Sequence, residues 1–150
     1  MITIEKLLFL KSVNLFKAMP DDLLLQVATD ITREKRVAAG ETILEKAQIN
    51  PIIYIIASGT FRVHDENDCT IVELHSREIF GELSALTREP TVSFVSALDE
   101  SLLLTIPSDA LYDLMNLEVE LSKGIIRALC ERTQDMSFQI QQMLLPAKSN

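Results

Sequence analysis

Apolar residues obey three different spacing rules along this chain. From Ile4 to Leu10 they fall at Ile4, Leu7, Leu8 and Leu10, a helical spacing that a Thr3 cap would open. A second start signal stands at Met19-Pro20-Asp21-Asp22. Proline suits a first helical turn, and the two acids favour the positive end of the helix dipole. Leu23, Leu24, Val27, Ala28 and Ile31 supply the apolar face of that helix. From Thr32 to Ile106 the rule changes to short apolar or alternating runs, at Ile52 to Ala57, Thr60 to His64, Thr70 to Leu74, Val92 to Ala97 and Leu102 to Ile106. Such runs predict strands. Ala39-Gly40, Ser58-Gly59 and Asp65-Glu66-Asn67-Asp68 mark the turns, the last being a hairpin tip. No helix long enough for parallel crossovers separates these strands, so the prediction is an antiparallel barrel or jelly roll.

Helical spacing returns after Pro107-Ser108-Asp109, with Ala110, Leu111, Leu114 and Met115 on one face. From Glu118 to about Leu145 the apolar positions Leu121, Ile125, Leu129, Met136, Ile140 and Met143 fall three, four or seven apart, and Arg132 fills the gap in the stripe. Two readings stay open. Either the helix packs on its own domain, or its distal half pairs with the same helix of a second subunit, with Ile125, Leu129, Met136, Ile140 and Met143 as the dimer seam. The polar tail 146–150 is expected to fray. The predicted layout is a single mainly β domain of the α+β class over 1–150: a helical N-terminus at about 3–31, a β-roll at about 32–106 and C-terminal helices at about 107–145.

Composition and charge narrow the function. With 47% hydrophobic and 24% charged residues the chain is of globular type. Its longest apolar stretch, Pro51 to Ala57, falls far short of the ~20 residues that span a bilayer. The opening Met1 to Lys6 lacks a basic region before an apolar one, so no secretory leader is expected and the cytoplasm is the expected compartment. A net charge of −8 disfavours a nucleic-acid polymer, whose phosphates must be neutralised together. A single small anion stays compatible, because aimed backbone dipoles can hold it locally. Cys69 and Cys130 lack a CxxC spacing and read as ordinary thiols, while His64 and His75 flank a hairpin without a metal-ligand set around them. Neither a metal site nor a catalytic constellation is expected, and the reading is non-enzymatic.

The candidate chemistry lies in IFGELSALTREPTVSFVSA, Ile79 to Ala97. A strand end passes through Gly81 into a short helical turn at Glu82 to Leu86, then through Glu89-Pro90 into the next strand. Glycine before a one-turn helix leaves several N–H groups converging, which suits an anion, although the same pattern also describes a plain connection.

Five segments in order, LFLKSVNLFKAMPDDLL (Leu8 to Leu24), AAGETILEK (Ala38 to Lys46), IIYIIASGTFRV (Ile52 to Val63), IFGELSAL (Ile79 to Leu86) and LLLTIPSDAL (Leu102 to Leu111), resemble the cyclic-nucleotide-binding domain family. That family includes the catabolite activator protein and the regulatory subunits of cAMP-dependent kinase. The resemblance implies an eight-stranded β-roll flanked by helices, a phosphate-binding cassette around FGEL, and a long C-terminal helix that reports or caps the ligand. It implies that Gly81, Leu83 and Ser84 line the cyclic phosphate and ribose with backbone groups, and that Glu82 accepts the ribose 2′-hydroxyl. Gly40 and Gly59 match turn glycines of the roll.

The departures bear on the ligand. Family members usually continue the cassette with Pro and Arg, where this chain reads Pro90, Thr91, Val92, Ser93, Phe94, Val95. Thr91 stands in place of the phosphate-binding Arg, and a hydroxyl offers neither its charge nor its forked geometry. Losing such a partner costs ~2–5 kcal/mol, which moves a micromolar site toward ~0.03–4 mM. Ala47 and Arg77 replace two further glycines usual in the family. Arg88, three residues before Thr91, is the candidate substitute cation, and Arg132 and Thr133 are candidates for contacting a base. The implied ligand is cAMP or cGMP, weakened by Thr91, and no other cofactor is expected.

Two functions follow. One is a sensor that binds a cyclic nucleotide or other small anion and moves its C-terminal helix. The other is a ligand-free module that uses that helix to dimerise or to dock on a larger assembly. No helix-turn-helix reader of DNA is expected in the chain. The opening IEKLLFLKSVNLF resembles the start of such modules appended to larger bacterial proteins, including transporters with helical repeats.

Overall fold

The computed structural model describes residues 1–145, so the tail expected to fray lies outside the described residues. Helix α1 (Thr3–Lys11) begins one residue earlier than the pattern suggests: Ile2 is the flanking cap, and Thr3 is already helical without a capping bond. Its apolar face is also rotated from expectation. Leu10 is buried and Leu7 and Phe9 are half-buried, whereas Ile4 and Leu8 face solvent. The C-terminal half of α1 reaches the core through Leu7, Phe9 and Leu10, and Val13, Leu15 and Phe16 of the following loop join the same core. Pro20 flanks α2 (Asp21–Gln26) as its cap, just outside the first turn. The chain then widens into a π turn at Val27–Ile31, which Thr32 ends by donating its hydroxyl to the Val27 carbonyl at 2.8 Å.

Eight strands follow: β1 (Arg33–Val37), β2 (Thr42–Leu44), β3 (Ile52–Ser58), β4 (Phe61–His64), β5 (Thr70–Leu74), β6 (Ile79–Phe80), β7 (Phe94–Ala97) and β8 (Ser101–Pro107). They form two antiparallel sheets, ordered β1-β8-β3-β6 and β2-β7-β4-β5. The short helix α3 (Glu82–Thr87) joins β6 to β7, and α4 (Ser108–Leu117) and α5 (Val119–Leu144) follow β8.

The roll has two cores, and the pair β3 and β8 separates them. Ile53, Ile55, Leu104 and Ile106 face the helices, where they meet Leu10, Phe16, Leu24, Leu111 and Leu121. Ile56 and Leu103 face the opposite sheet, with Phe61, Phe80 and Val95. Strands buried on both faces need no polar alternation, which is why IIYIIA and LLLTI read as continuous apolar runs. Gly59 makes the tight β3–β4 corner at φ +98, where a Cβ would sit 2.0 Å from the Ser101 hydroxyl. Leu121, Ile125 and Ala128 of α5 pack into the helical core, but Met136, Ile140 and Met143 are exposed. Ile125, at 2% exposure, is therefore committed to its own domain and is not free for a dimer seam. No helix among the described residues is long and apolar enough to cross a membrane.

Candidate functional site

The β6–α3 junction is built around a glycine. Gly81 has φ +80, and a Cβ there would lie 2.7 Å from Asn50 Nδ2 and 2.9 Å from the Ile52 carbonyl. Asn50 clamps the junction from the start of β3: its side-chain amide donates to the Gly81 carbonyl at 3.0 Å and to the Ile52 carbonyl at 2.6 Å, and its backbone N–H donates to Ser84 Oγ at 2.9 Å. Sequence reasoning did not single out Asn50, although an Asn-Pro pair at 50–51 is a turn signal. Arg88, at φ +63, ends α3, and the Tyr112 hydroxyl ties it to α4 through the Leu86 carbonyl. Behind Gly81, Tyr54 stacks on Phe80 with ring centroids 5.0 Å apart, and burial pushes the Tyr54 phenol above its ordinary pKa.

A cavity of about 340 Å³ opens between α3, the following loop and the second sheet. Gly81, Glu82, Leu83, Ser84, Thr91, Val92 and Ser93 all line it. Arg88 does not; it lies in solvent and pairs with Asp109 at 2.8 Å. Thr133 is also off the wall, its hydroxyl donating to the Leu129 carbonyl one turn back. Arg132 is the cation that reaches the cavity from α5, and its Nη1 donates to Glu82 Oε1 at 2.9 Å. Glu82 is only 5% exposed. A carboxylate so buried requires a partner, and Arg132 supplies it.

Thr91 is held by the loop before β3. Its hydroxyl donates to the Glu45 carbonyl and accepts from the Gln48 N–H at 3.1 Å, while its backbone exchanges bonds with Ala47 and Gln48. Ala47 and Arg77 keep the left-handed backbone of the glycines they replace, at φ +66 and +78. Each such residue costs of order 1–3 kcal/mol, and bonds from the Ala47 N–H to Thr91 and from the Arg77 N–H to Ile56 hold them there. Away from the cavity, His64 Nε2 lies 2.8 Å from Ser96 Oγ and its ring stacks on Phe94. Among the described residues no three His, Cys, Asp or Glu side chains are placed to hold a metal ion.

Known proteins resemble this chain in sequence and, separately, in the arrangement of roll and helices. A cAMP-dependent protein kinase regulatory subunit of Candida albicans is 27% identical over 115 residues, which are 77% of this chain and 25% of that protein, so the chain spans about a quarter of that relative's length. A cyclic nucleotide-binding domain from Methylobacillus flagellatus shares the fold at a TM-score of 0.79 and 17% identity, covering 97% of this chain and 83% of that one. The regulatory subunit of a cAMP-independent protein kinase A from Trypanosoma brucei does so at 0.74 and 18%, covering 94% and 50%. The family model for the cyclic nucleotide-binding domain matches residues 34–118, from β1 to the end of α4. This chain belongs to the cyclic nucleotide-binding domain family.

Proposed function

We propose that the chain is a regulatory, non-enzymatic module in which the cavity is a ligand site and α5 reports its occupancy. The observation that carries this reading is the 2.9 Å bond from Arg132 of α5 to Glu82 on the cavity wall. A ligand hydroxyl that competes for Glu82 exchanges with Arg132, so occupied and empty cavities favour different positions of α5. Cyclic nucleotides are weak ligands here, because the Thr91 hydroxyl is already engaged and the one cation on the wall is paired. The distal part of α5 is the output surface, pairing with a second copy or docking on a larger protein.

Thermal unfolding tests the first half. With ~1 mM cAMP or cGMP the melting temperature of the unmodified protein is expected to rise by no more than about 2 °C, the shift of a site at the weak end of the ~0.03–4 mM range, with a Kd of ~1 mM or above. A micromolar site filled at ~100 times Kd gains ~2.7 kcal/mol, or roughly 5–11 °C for a chain of this length, and Thr91→Arg is expected to reach that range with cAMP. A shift of that size in the unmodified protein shows that the cassette works without its Arg. Amide exchange tests the second half: in Thr91→Arg, cAMP is expected to change protection along α5, and an unchanged α5 removes its role as reporter. A ligand-free interaction module is the competing reading, favoured by the exposure of Met136, Ile140 and Met143. It gains if Thr91→Arg fails to respond at all.

A further inference from the structure

If the cavity is a ligand site, as proposed above, its walls also say what class of molecule fits it. Leu44, Val63, Phe80, Leu83, Val92 and Val95 surround the space with hydrocarbon. The charged side chains on the wall are Glu82, Glu89 and Arg132, and Arg132 is paired with Glu82. Among the described residues an anion entering would meet two carboxylates and no uncommitted cation, so the N–H groups at the start of α3 would have to hold it alone, and an ion moved into largely apolar surroundings without a countercharge is strongly disfavoured. The volume of about 340 Å³ falls at the lower end of the ~300–1,000 Å³ of small-molecule sites, which are typically apolar with a few placed polar groups. At the mouth, Leu83 and Val92 are 67% and 76% exposed, apolar surface that an occupant would cover.

We propose that the cavity takes an uncharged, mainly apolar molecule of about two fused rings, with one hydroxyl donated to Glu82. An anion of the same shape is rejected. Thr91 sets this preference: an Arg at that position would reverse it.

A matched pair of probes tests the class. 2-Naphthol keeps its proton at pH 7, as phenols titrate near ~10, while 2-naphthoate is ionised, as carboxylates titrate near ~4. At ~1 mM, a 2-naphthol site of ~0.1 mM Kd raises the melting temperature by about 3–6 °C, and calorimetry is expected to find 2-naphthoate at least tenfold weaker. Val92→Asp, on the exposed lip, is expected to weaken 2-naphthol at least tenfold without changing the melting temperature of the free protein by more than about 1 °C. Thr91→Arg is expected to bring 2-naphthoate level with 2-naphthol or ahead of it. Naphthoate binding as tightly as naphthol to the unmodified protein overturns the uncharged class, and naphthol binding that ignores Val92→Asp overturns the location. If neither naphthyl probe binds but cAMP binds Thr91→Arg, the ligand site stands and the class falls. If nothing binds any variant, the ligand-site reading falls with it.

Discussion

The two halves of α5 carry the same apolar spacing and meet opposite fates. In the proximal half Leu121, Ile125 and Ala128 are buried against the helices and the first sheet, and Leu129 packs at their edge. In the distal half Met136, Ile140 and Met143 continue the stripe without a break in period, yet Met143 is 79% exposed. The border is Arg132, the α5 residue that lines the cavity and bonds to Glu82. Periodicity reports that a helix face is apolar; the reach of the neighbouring surface decides what covers it. A helix longer than the body it packs on must therefore be judged one half at a time.

The largest expected effect tests the burial side of this contrast. Leu121→Ala and Ile125→Ala each remove a fully packed side chain and are expected to cost ~2–5 kcal/mol, which is roughly 4–20 °C in melting temperature. Met136→Ala and Met143→Ala at low protein concentration are expected to stay within ~0.5 kcal/mol, as exposed substitutions do. Denaturant titration of the four variants decides the matter. Comparable losses in both sets would show that the distal half is covered by its own domain.

A smaller effect is expected at the border. Arg132→Ala leaves the Glu82 carboxylate buried without its partner, a loss of ~1–3 kcal/mol for a stranded acceptor, at the lower end because the Arg132 side chain is over a third exposed and water screens the pair. Glu82→Gln combined with Arg132→Ala is expected to cost less than the two single changes summed, the signature of a direct interaction. Additive losses would mean that the 2.9 Å bond contributes nothing to holding α5.

Much of this architecture is legible in residue patterns, and the exceptions share a physical cause. β3 and β8 stand out because burial on both faces keeps IIYIIA and LLLTI apolar throughout. β1 is hidden because REKRV is an edge strand exposed at all but Val37; its hydrogen bonds to β8 define it, and a charged edge is what discourages further pairing. The β6–α3 junction is visible through Gly81, while Asn50 acts from 31 residues away through backbone carbonyls that no local spacing encodes. Thr91 shows what the cassette lacks in the sequence itself. Which of two neighbouring residues on α5 reaches the cavity, Arg132 or Thr133, depends on the rotation of the helix on its core and becomes readable only once Leu121, Ile125 and Ala128 are seen to be buried.

The smallest effect on the fold, and the sharpest test of the exposed half, concerns association. From Thr133 to Leu144 the helix carries a single charged residue, Asp135, in a chain of net charge −8. A helix pair along this segment would bring little like charge together, and the exposed Met136, Ile140 and Met143 would supply its apolar seam. Sedimentation at rising concentration is expected to show a dimer by the high micromolar range. Met136→Glu and Ile140→Glu are expected to abolish it, since in a symmetric pair each change buries two carboxylates in the apolar seam without a partner. Neither change is expected to move the melting temperature of the dilute monomer by more than about 1–2 °C, because an exposed site offers little packing to lose. A monomer throughout, insensitive to both substitutions, would assign the stripe to a different protein partner. Loss of monomer stability in Met136→Glu would erase the distinction between the two halves of α5 altogether.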